Sequence, residues 1–182
     1  MKDPIINGTK VVFGPCRLSY THLFEKYTPE GGGDGKYMTN VLIPKAEKKT
    51  VEALKKAVAE AVRLGTVSKW GGKEPKKLET PLHDGDDKDD VTYADTVYVN
   101  AKCNTRPGVV DKNKQPITDE EEIYSGVWAY VSVTFYAYDV NGNRGVACGL
   151  NNVMKFKDDD RLGGRVSADA DFADFGDNDE DL

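Results

Sequence analysis

The side chains of this chain best equipped for chemistry are aromatic rings with lysines or arginines close by. Tyr98 is followed by Lys102 and Arg106, Trp70 lies between Lys69 and Lys73, and Tyr124, Trp128 and Tyr136 recur at even positions of one stretch. Rings beside cations match what an unpaired nucleic-acid strand offers. Its bases stack for roughly 1–3 kcal/mol each, and its phosphates attract positive charge. Lys36 and Arg144 complete the cationic set. Each ring also has a structural alternative, packing under a helix or loop. Trp70 is as well suited to plugging the core beneath its own loop as to touching nucleic acid.

For catalysis the sequence is thin. His22 and His83 are its two histidines, and neither has a Cys, His or Glu at a metal-ligand or nucleophile spacing. Ser19 and Ser125 have no elbow motif around them. Asp158-Asp159-Asp160 could hold a divalent ion for a nuclease, but beside a Gly-rich exit it reads more simply as a solvated linker. The acids of Asp84-Gly85-Asp86-Asp87-Lys88-Asp89-Asp90 lack EF-hand spacing and its terminal glutamate, so a solvated turn is expected there. The expectation is a non-enzymatic protein without cofactor or metal.

The element that must carry these rings is Ile123 to Asp139. Odd positions there are mostly aliphatic and even positions aromatic or polar, the period-two pattern of a strand with one buried face. Thr9 to Tyr20 reads as a strand interrupted at Gly14-Pro15, a mark of an edge or bulge. The glycine run at 31–35 lacks the ending of a phosphate-binding P-loop and reads as a hairpin connection into a strand over Lys36–Ile43. Val51, Leu54, Ala57, Val58, Ala61 and Val62 recur at helical spacing, with Thr50 as N-cap and Gly65 as terminator. Residues 66–90 look irregular, basic in the first half and acidic in the second. Thr96 to Asn104 is a further strand, and Asn141-Gly142-Asn143 turns the central strand into Arg144–Val153. Two strands, a helix, a long loop and three strands suit a mainly β, five-stranded Greek-key barrel of the OB type with one amphipathic helix, although other β-barrels share the pattern.

The net charge of −6 is unevenly placed. The last fifteen residues hold seven acids and no Lys or Arg, so removing those seven charges leaves the body at +1. A domain over 1–162 followed by a flexible acidic tail over 163–182 is therefore expected. Within the tail, Phe172, Phe175 and Leu182 stand among Asp171, Asp174, Asp177, Asp179, Glu180 and Asp181, an arrangement suited to docking on basic, apolar-pitted partners. Cys16, Cys103 and Cys148 form no CxxC and alternate into apolar stretches, which points to free thiols in a reducing compartment. No run approaches the roughly 18 apolar residues of a membrane span, and Met1-Lys2-Asp3-Pro4 does not open a secretory signal.

With these residues assembled, the chain resembles phage-encoded single-stranded DNA-binding proteins with an OB-fold and an acidic C-terminal tail. The likeness is strongest at VVFGPCRLSYTHLFE (11–25), SKWGGK (68–73), RPGVVDKNKQPI (106–117), YSGVWAYVSVTFYAYDVNGNRGVACGLNNV (124–153) and LGGRVSADADF (162–172). The resemblance implies a barrel that binds displaced single strands in phage replication and recombination, in the host cytoplasm. It also implies a tail that competes for the DNA groove and recruits replication proteins such as polymerase and helicase or primase. Binding of double-stranded DNA once the tail is removed, and homodimerisation, belong to the same expectation. The chain departs from related tails, which often end in phenylalanine, by ending in Leu182, and its loop at 84–90 is rich in aspartate. The readings from other classes are a metal-dependent nuclease using the acidic clusters and an interaction scaffold that never touches DNA.

Overall fold

The computed structural model describes residues 1–163 and 168–175. Its strands are β1 (Ile5–Asn7), β2 (Lys10–Tyr27), β3 (Lys36–Pro44), β4 (Leu82–Asp84), β5 (Thr96–Cys103), β6 (Gly108–Val110), β7 (Trp128–Val140) and β8 (Asn143–Lys157). Its helices are α1 (Lys48–Ser68) and the single turn α2 (Ala168–Asp171).

Five strands close into a barrel in the order β2-β3-β5-β8-β7, with β7 returning to β2. Every neighbour in that ring is antiparallel except β5 and β8, which run parallel through Ala101↔Cys148 and Lys102↔Gly149. The ring is the OB arrangement expected from the sequence, with α1 inserted between its second and third strands. The other edge of β5 is divided, since its first half pairs with β4 before its second half reaches β8. β1 extends β2, and β6 lies parallel to β8.

Period-two alternation fills the interior. Val41, Ile43, Val99, Ala101, Ala129, Val131, Val133 and Phe135 are all almost fully buried in one core, together with Cys16 and Cys148. All three cysteines are free, and burial pushes the Cys16 and Cys148 thiols far above the usual thiol range. Such groups stay protonated and inert.

Several elements differ from their expected bounds for local reasons. The central strand begins at Trp128, not Ile123, because Gly126 adopts φ 115° against the backbone of Asp160 and the preceding residues form a 3-10 turn at Glu120–Glu122. The opening strand runs unbroken to Tyr27, and Gly14-Pro15 makes a bulge, seen as a register shift between Phe13 and Cys16. β8 likewise extends to Lys157. Asn141 and Gly142, at φ 52° and 82°, make the tight turn their types favour. The stretch expected to be irregular contains β4 and a 3-10 turn at Gly85–Asp87, and a second such turn follows at Val91–Tyr93.

The helix also starts and stops elsewhere. Glu47 holds the N-cap position without a side-chain cap, and Thr50 is buried within the first turn. Gly65 lies inside the helix, where a Cβ would overlap that of Ala137 and meet the Trp70 ring at 3.1 Å. Gly65 thus gives Trp70 a seat between α1 and β7. The indole is 4% exposed and donates from Nε1 to the carbonyl of Tyr138 at 3.1 Å. Of its two readings, Trp70 follows the structural one, because its ring face is covered by protein. Trp70→Ala should therefore lower the unfolding free energy by about 3–5 kcal/mol in urea titrations. A loss under about 1 kcal/mol would show that the ring seals nothing.

Candidate nucleic-acid interface

The site is built from the outward side chains of β2, β3 and β5, the residues that alternate with the core. Register places them in rows across the three strands. His22, Met38 and Lys102 form one row, Ser19, Asn40 and Asn100 the next, and Arg17, Leu42 and Tyr98 the third, which His83 extends onto β4. Strands lie about 4.8 Å apart and residues advance about 3.3 Å, so the rows cover a continuous patch about 10 Å by 13 Å.

One end of the patch is cationic and aromatic. Arg106 sits over the Phe24 ring at 5.0 Å and the His22 and Tyr27 rings lie 4.8 Å apart. Lys26 sits at 5.8 Å over the ring of Tyr37, which shares the opposite face of β3 with Thr39 and Val41. Lys36 pairs in register with Tyr27, and Lys102 stands exposed on β5. Glu25, Glu30 and Asp34 belong to the same hairpin, so the positive charge comes from three elements meeting rather than from one basic loop.

At the other end Tyr98 packs against His83 at 5.1 Å and edge-on to Tyr93 at 5.0 Å. Lys88 lies 4.7 Å from the Tyr20 ring centre and 4.5 Å from that of Tyr93. Burial lowers the pKa of both His22 and His83, so both imidazoles are neutral near pH 7 and the cations are lysines and arginines.

The expected binding residues do not form one site. Tyr98, Lys102, Arg106 and Lys36 come together on the patch. Tyr124 and Trp128 lie beyond the third row, where Trp128 pairs with Arg17, and both are held by the segment that leaves β8. The Tyr124 hydroxyl donates to Asp158 Oδ1 at 2.7 Å, and the Trp128 indole N–H donates to Asp159 Oδ2 at 2.7 Å. Arg161 covers the Tyr124 ring at 4.5 Å, and Lys157 covers the Trp128 ring at 5.2 Å. Tyr136 is 47% exposed but lies eight residues along β7 from Trp128, about 26 Å of extended strand. Arg144 pairs with Asp139 at 3.0 Å, and Lys69 and Lys73 are exposed in the turn after α1 beside the buried Trp70. Tyr20, Lys88, Tyr93 and Arg17 lie on or beside the same face without having been among the expected residues. The alternation of Thr21 to Tyr27 could have revealed the longer β2, whereas nothing local ties Lys88 or Tyr93 to this face.

The acidic clusters are engaged by the protein itself. Lys45 bridges Asp84 at 2.8 Å and Asp86 at 2.6 Å, and Lys155 bridges Asp158 at 2.8 Å and Glu122 at 2.7 Å. Among the described residues no group of three or more His, Cys, Asp or Glu side chains is placed to hold a metal ion. No described helix is long and apolar enough to cross a membrane. In the acidic end, Phe172 and Phe175 are 61% and 70% exposed, next to Asp171 and Asp174. Asp177, Asp179, Glu180, Asp181 and Leu182 lie outside the described residues.

The comparisons agree with the fold. Residues 9–182 match the family described as Enterobacter phage Enc34, ssDNA-binding protein. The putative protein p50 of Acyrthosiphon pisum secondary endosymbiont phage 1 is 34% identical over 177 residues, covering 91% of this chain and 94% of that protein. The single-stranded DNA-binding protein from bacteriophage Enc34, solved in complex with ssDNA, superposes with a TM-score of 0.76 at 26% identity, covering 90% of this chain and 95% of that one. The fold extends to gp2.5, a single-stranded DNA-binding protein encoded by bacteriophage T7, with a TM-score of 0.59 at 18% identity over 95% of this chain and 98% of that one.

The contacts around Trp128 set a pH dependence. The indole N–H holds the Asp159 carboxyl below the usual carboxylate range, and Lys155, then Tyr124, do the same for Asp158. Groups whose folded pKa is depressed contribute stability above the unfolded value near about 3.9 and lose it as pH falls through the folded value. In a Trp70→Phe background, Trp128 emission should stay constant from pH 8 to about 4 and shift to that of a solvated indole only below. A transition near pH 6 would contradict this assignment.

Proposed function

The chain belongs to the Enterobacter phage Enc34 ssDNA-binding protein family, and from that membership we propose that it binds single-stranded DNA without catalysis, in phage replication and recombination in the host cytoplasm. The observation that carries this reading is the outward patch of β2, β3 and β5, where aromatic rings and cations from separate elements share one continuous face. In OB barrels this face and the adjoining loops take oligonucleotides. Bases stack on rings such as the half-buried Tyr98, while Lys36, Lys102 and Arg106 meet phosphates. Every base offers a π-face, so sequence preference is weak. No observation favours the nuclease reading, because protein donors already hold the carboxyls of Asp158 and Asp159.

The acidic end follows from the same electrostatics. A segment with seven acids, attached to a body of net +1, competes with phosphates for the patch, and its two exposed phenylalanines dock on replication proteins such as polymerase and helicase or primase. The domain boundary falls near Leu162, whose N–H still donates to the carbonyl of Ser125 at 2.8 Å. Self-association into a homodimer belongs to the same proposal.

Titration of a labelled oligonucleotide across a salt series tests the patch. Lys102→Gln and Arg106→Gln should each weaken binding and reduce the log–log salt slope by about 0.7, and Tyr98→Ala should cost about 1–3 kcal/mol. Wild-type affinity that does not change with salt would remove the phosphate half of the reading. Truncation near Ser167 should tighten single-strand binding and expose duplex binding. Unchanged or weaker affinity in the truncated protein would reject competition by the acidic end.

A further inference from the structure

Lys88 is the one cation in a loop of five aspartates, yet its side chain turns away from all of them in favour of three tyrosines. The ammonium lies 4.7, 4.5 and 5.5 Å from the ring centres of Tyr20, Tyr93 and Tyr98. We propose that these three rings form a nucleobase subsite which Lys88 fills from within the protein, so that an incoming base and the Lys88 ammonium compete for one aromatic-lined position. The proposal rests on the single-strand reading above and adds a specific subsite and its internal competitor.

Three observations carry it. First, the cage lies on the proposed interface, since Tyr98 occupies the third row of the patch, and it opens to water on the side of Tyr20, which is 53% exposed. Tyr20 holds φ 49° at the register shift between Ser19 and His22, an unfavourable conformation for a tyrosine that the strand maintains while presenting the ring. Second, the floor has unused hydrogen-bonding capacity. Asn40, 5% exposed, donates to the Tyr93 hydroxyl at 2.8 Å, but its Oδ1 and that of its cross-strand neighbour Asn100 are buried with no partner among the described residues. Buried carbonyls without donors are costly, and every nucleobase carries an N–H or amino group able to satisfy one.

Third, the loop is built so that the side chain moves rather than the backbone. Lys45 bridges Asp84 and Asp86, Asp86 Oδ1 accepts from the N–H of Asp95, and Asp90 Oδ1 accepts from that of Thr92. Thr96 Oγ1 donates to the Tyr93 carbonyl at 2.6 Å. Those contacts fix both sides of Lys88, leaving its flexible stem as the mobile part. Once displaced, the ammonium faces Asp87, Asp89 and Asp90 in its own loop, which repel phosphate. Lys88 therefore acts as a competitor for the base and contributes little as a phosphate contact, in contrast to Lys102.

Full-length protein is first titrated with an oligothymidylate by fluorescence anisotropy. Failure of the wild type to bind would overturn the single-strand reading itself, independently of the cage. Given wild-type binding, Lys88→Gln should bind about three- to tenfold tighter with an unchanged salt slope, and adding Tyr20→Ala should abolish that gain. Equal or weaker binding by Lys88→Gln would overturn the proposal. A second readout needs no folded variant beyond the assignment. In wild-type protein carrying carbon-13 dimethylated lysines, the Lys88 signal should be shifted upfield by the rings and should move to the solvated position on saturation with oligothymidylate. A signal that keeps its ring-shifted position in the saturated complex would equally overturn it.

Discussion

The parallel pairing of β5 with β8 is the constraint from which the rest follows. It covers two registered positions, Ala101↔Cys148 and Lys102↔Gly149, and turns an open five-stranded sheet into a closed barrel. Closure sends one face of every strand into a common core and leaves the other face outside. Because β4 occupies the first half of that same edge of β5, the loop after it is delivered onto the outer face beside Tyr98. The outward patch and the loop that covers part of it therefore meet at one edge, shared between two partners.

The outer surface is divided by what covers it. α1 lies chiefly against β7, with Gly65 and Trp70 closing the contact beside Ala137, and the segment leaving β8 lies across Arg17, Tyr124 and Trp128. The outward face of β2, β3 and β5 has no α-helix over it; the loop after β4 covers its middle, where Asn40 and Leu42 are buried. Around that loop Tyr20, Tyr27 and Lys102 meet solvent, which is the condition stacking and phosphate contacts require.

Negative charge is arranged around this face with the same economy. Lys45 is shared by Asp84 and Asp86, Lys155 pairs with Asp158 and Arg17 with Asp159. The Tyr124 hydroxyl and the Trp128 indole donate to the carboxylates of Asp158 and Asp159, respectively. A protein of net charge −6 can thus present a usable cationic patch, because much of its acidity is bound locally or carried in the last fifteen residues. Both acidic runs fasten loops to the barrel.

Local pattern in the chain was enough for the barrel class, the strand-helix-strand order, the inward aliphatic positions of β7 and the tight turn at Asn141-Gly142, since alternation, helical spacing and turn preference are properties of neighbouring residues. It also singled out Tyr98, Lys102, Arg106 and Lys36, which the fold brings onto one face because they sit on or beside two strands that pair. It did not separate Tyr136 from Trp128, which share a face but lie far apart along one strand, nor did it seat Trp70 in the core. It gave no sign that Lys88 would enter a cage of tyrosines drawn from residues 20, 93 and 98. Which outward residues become neighbours depends on register and on barrel closure, and those are fixed by hydrogen bonds between strands distant in the chain. Only the tertiary structure could decide them.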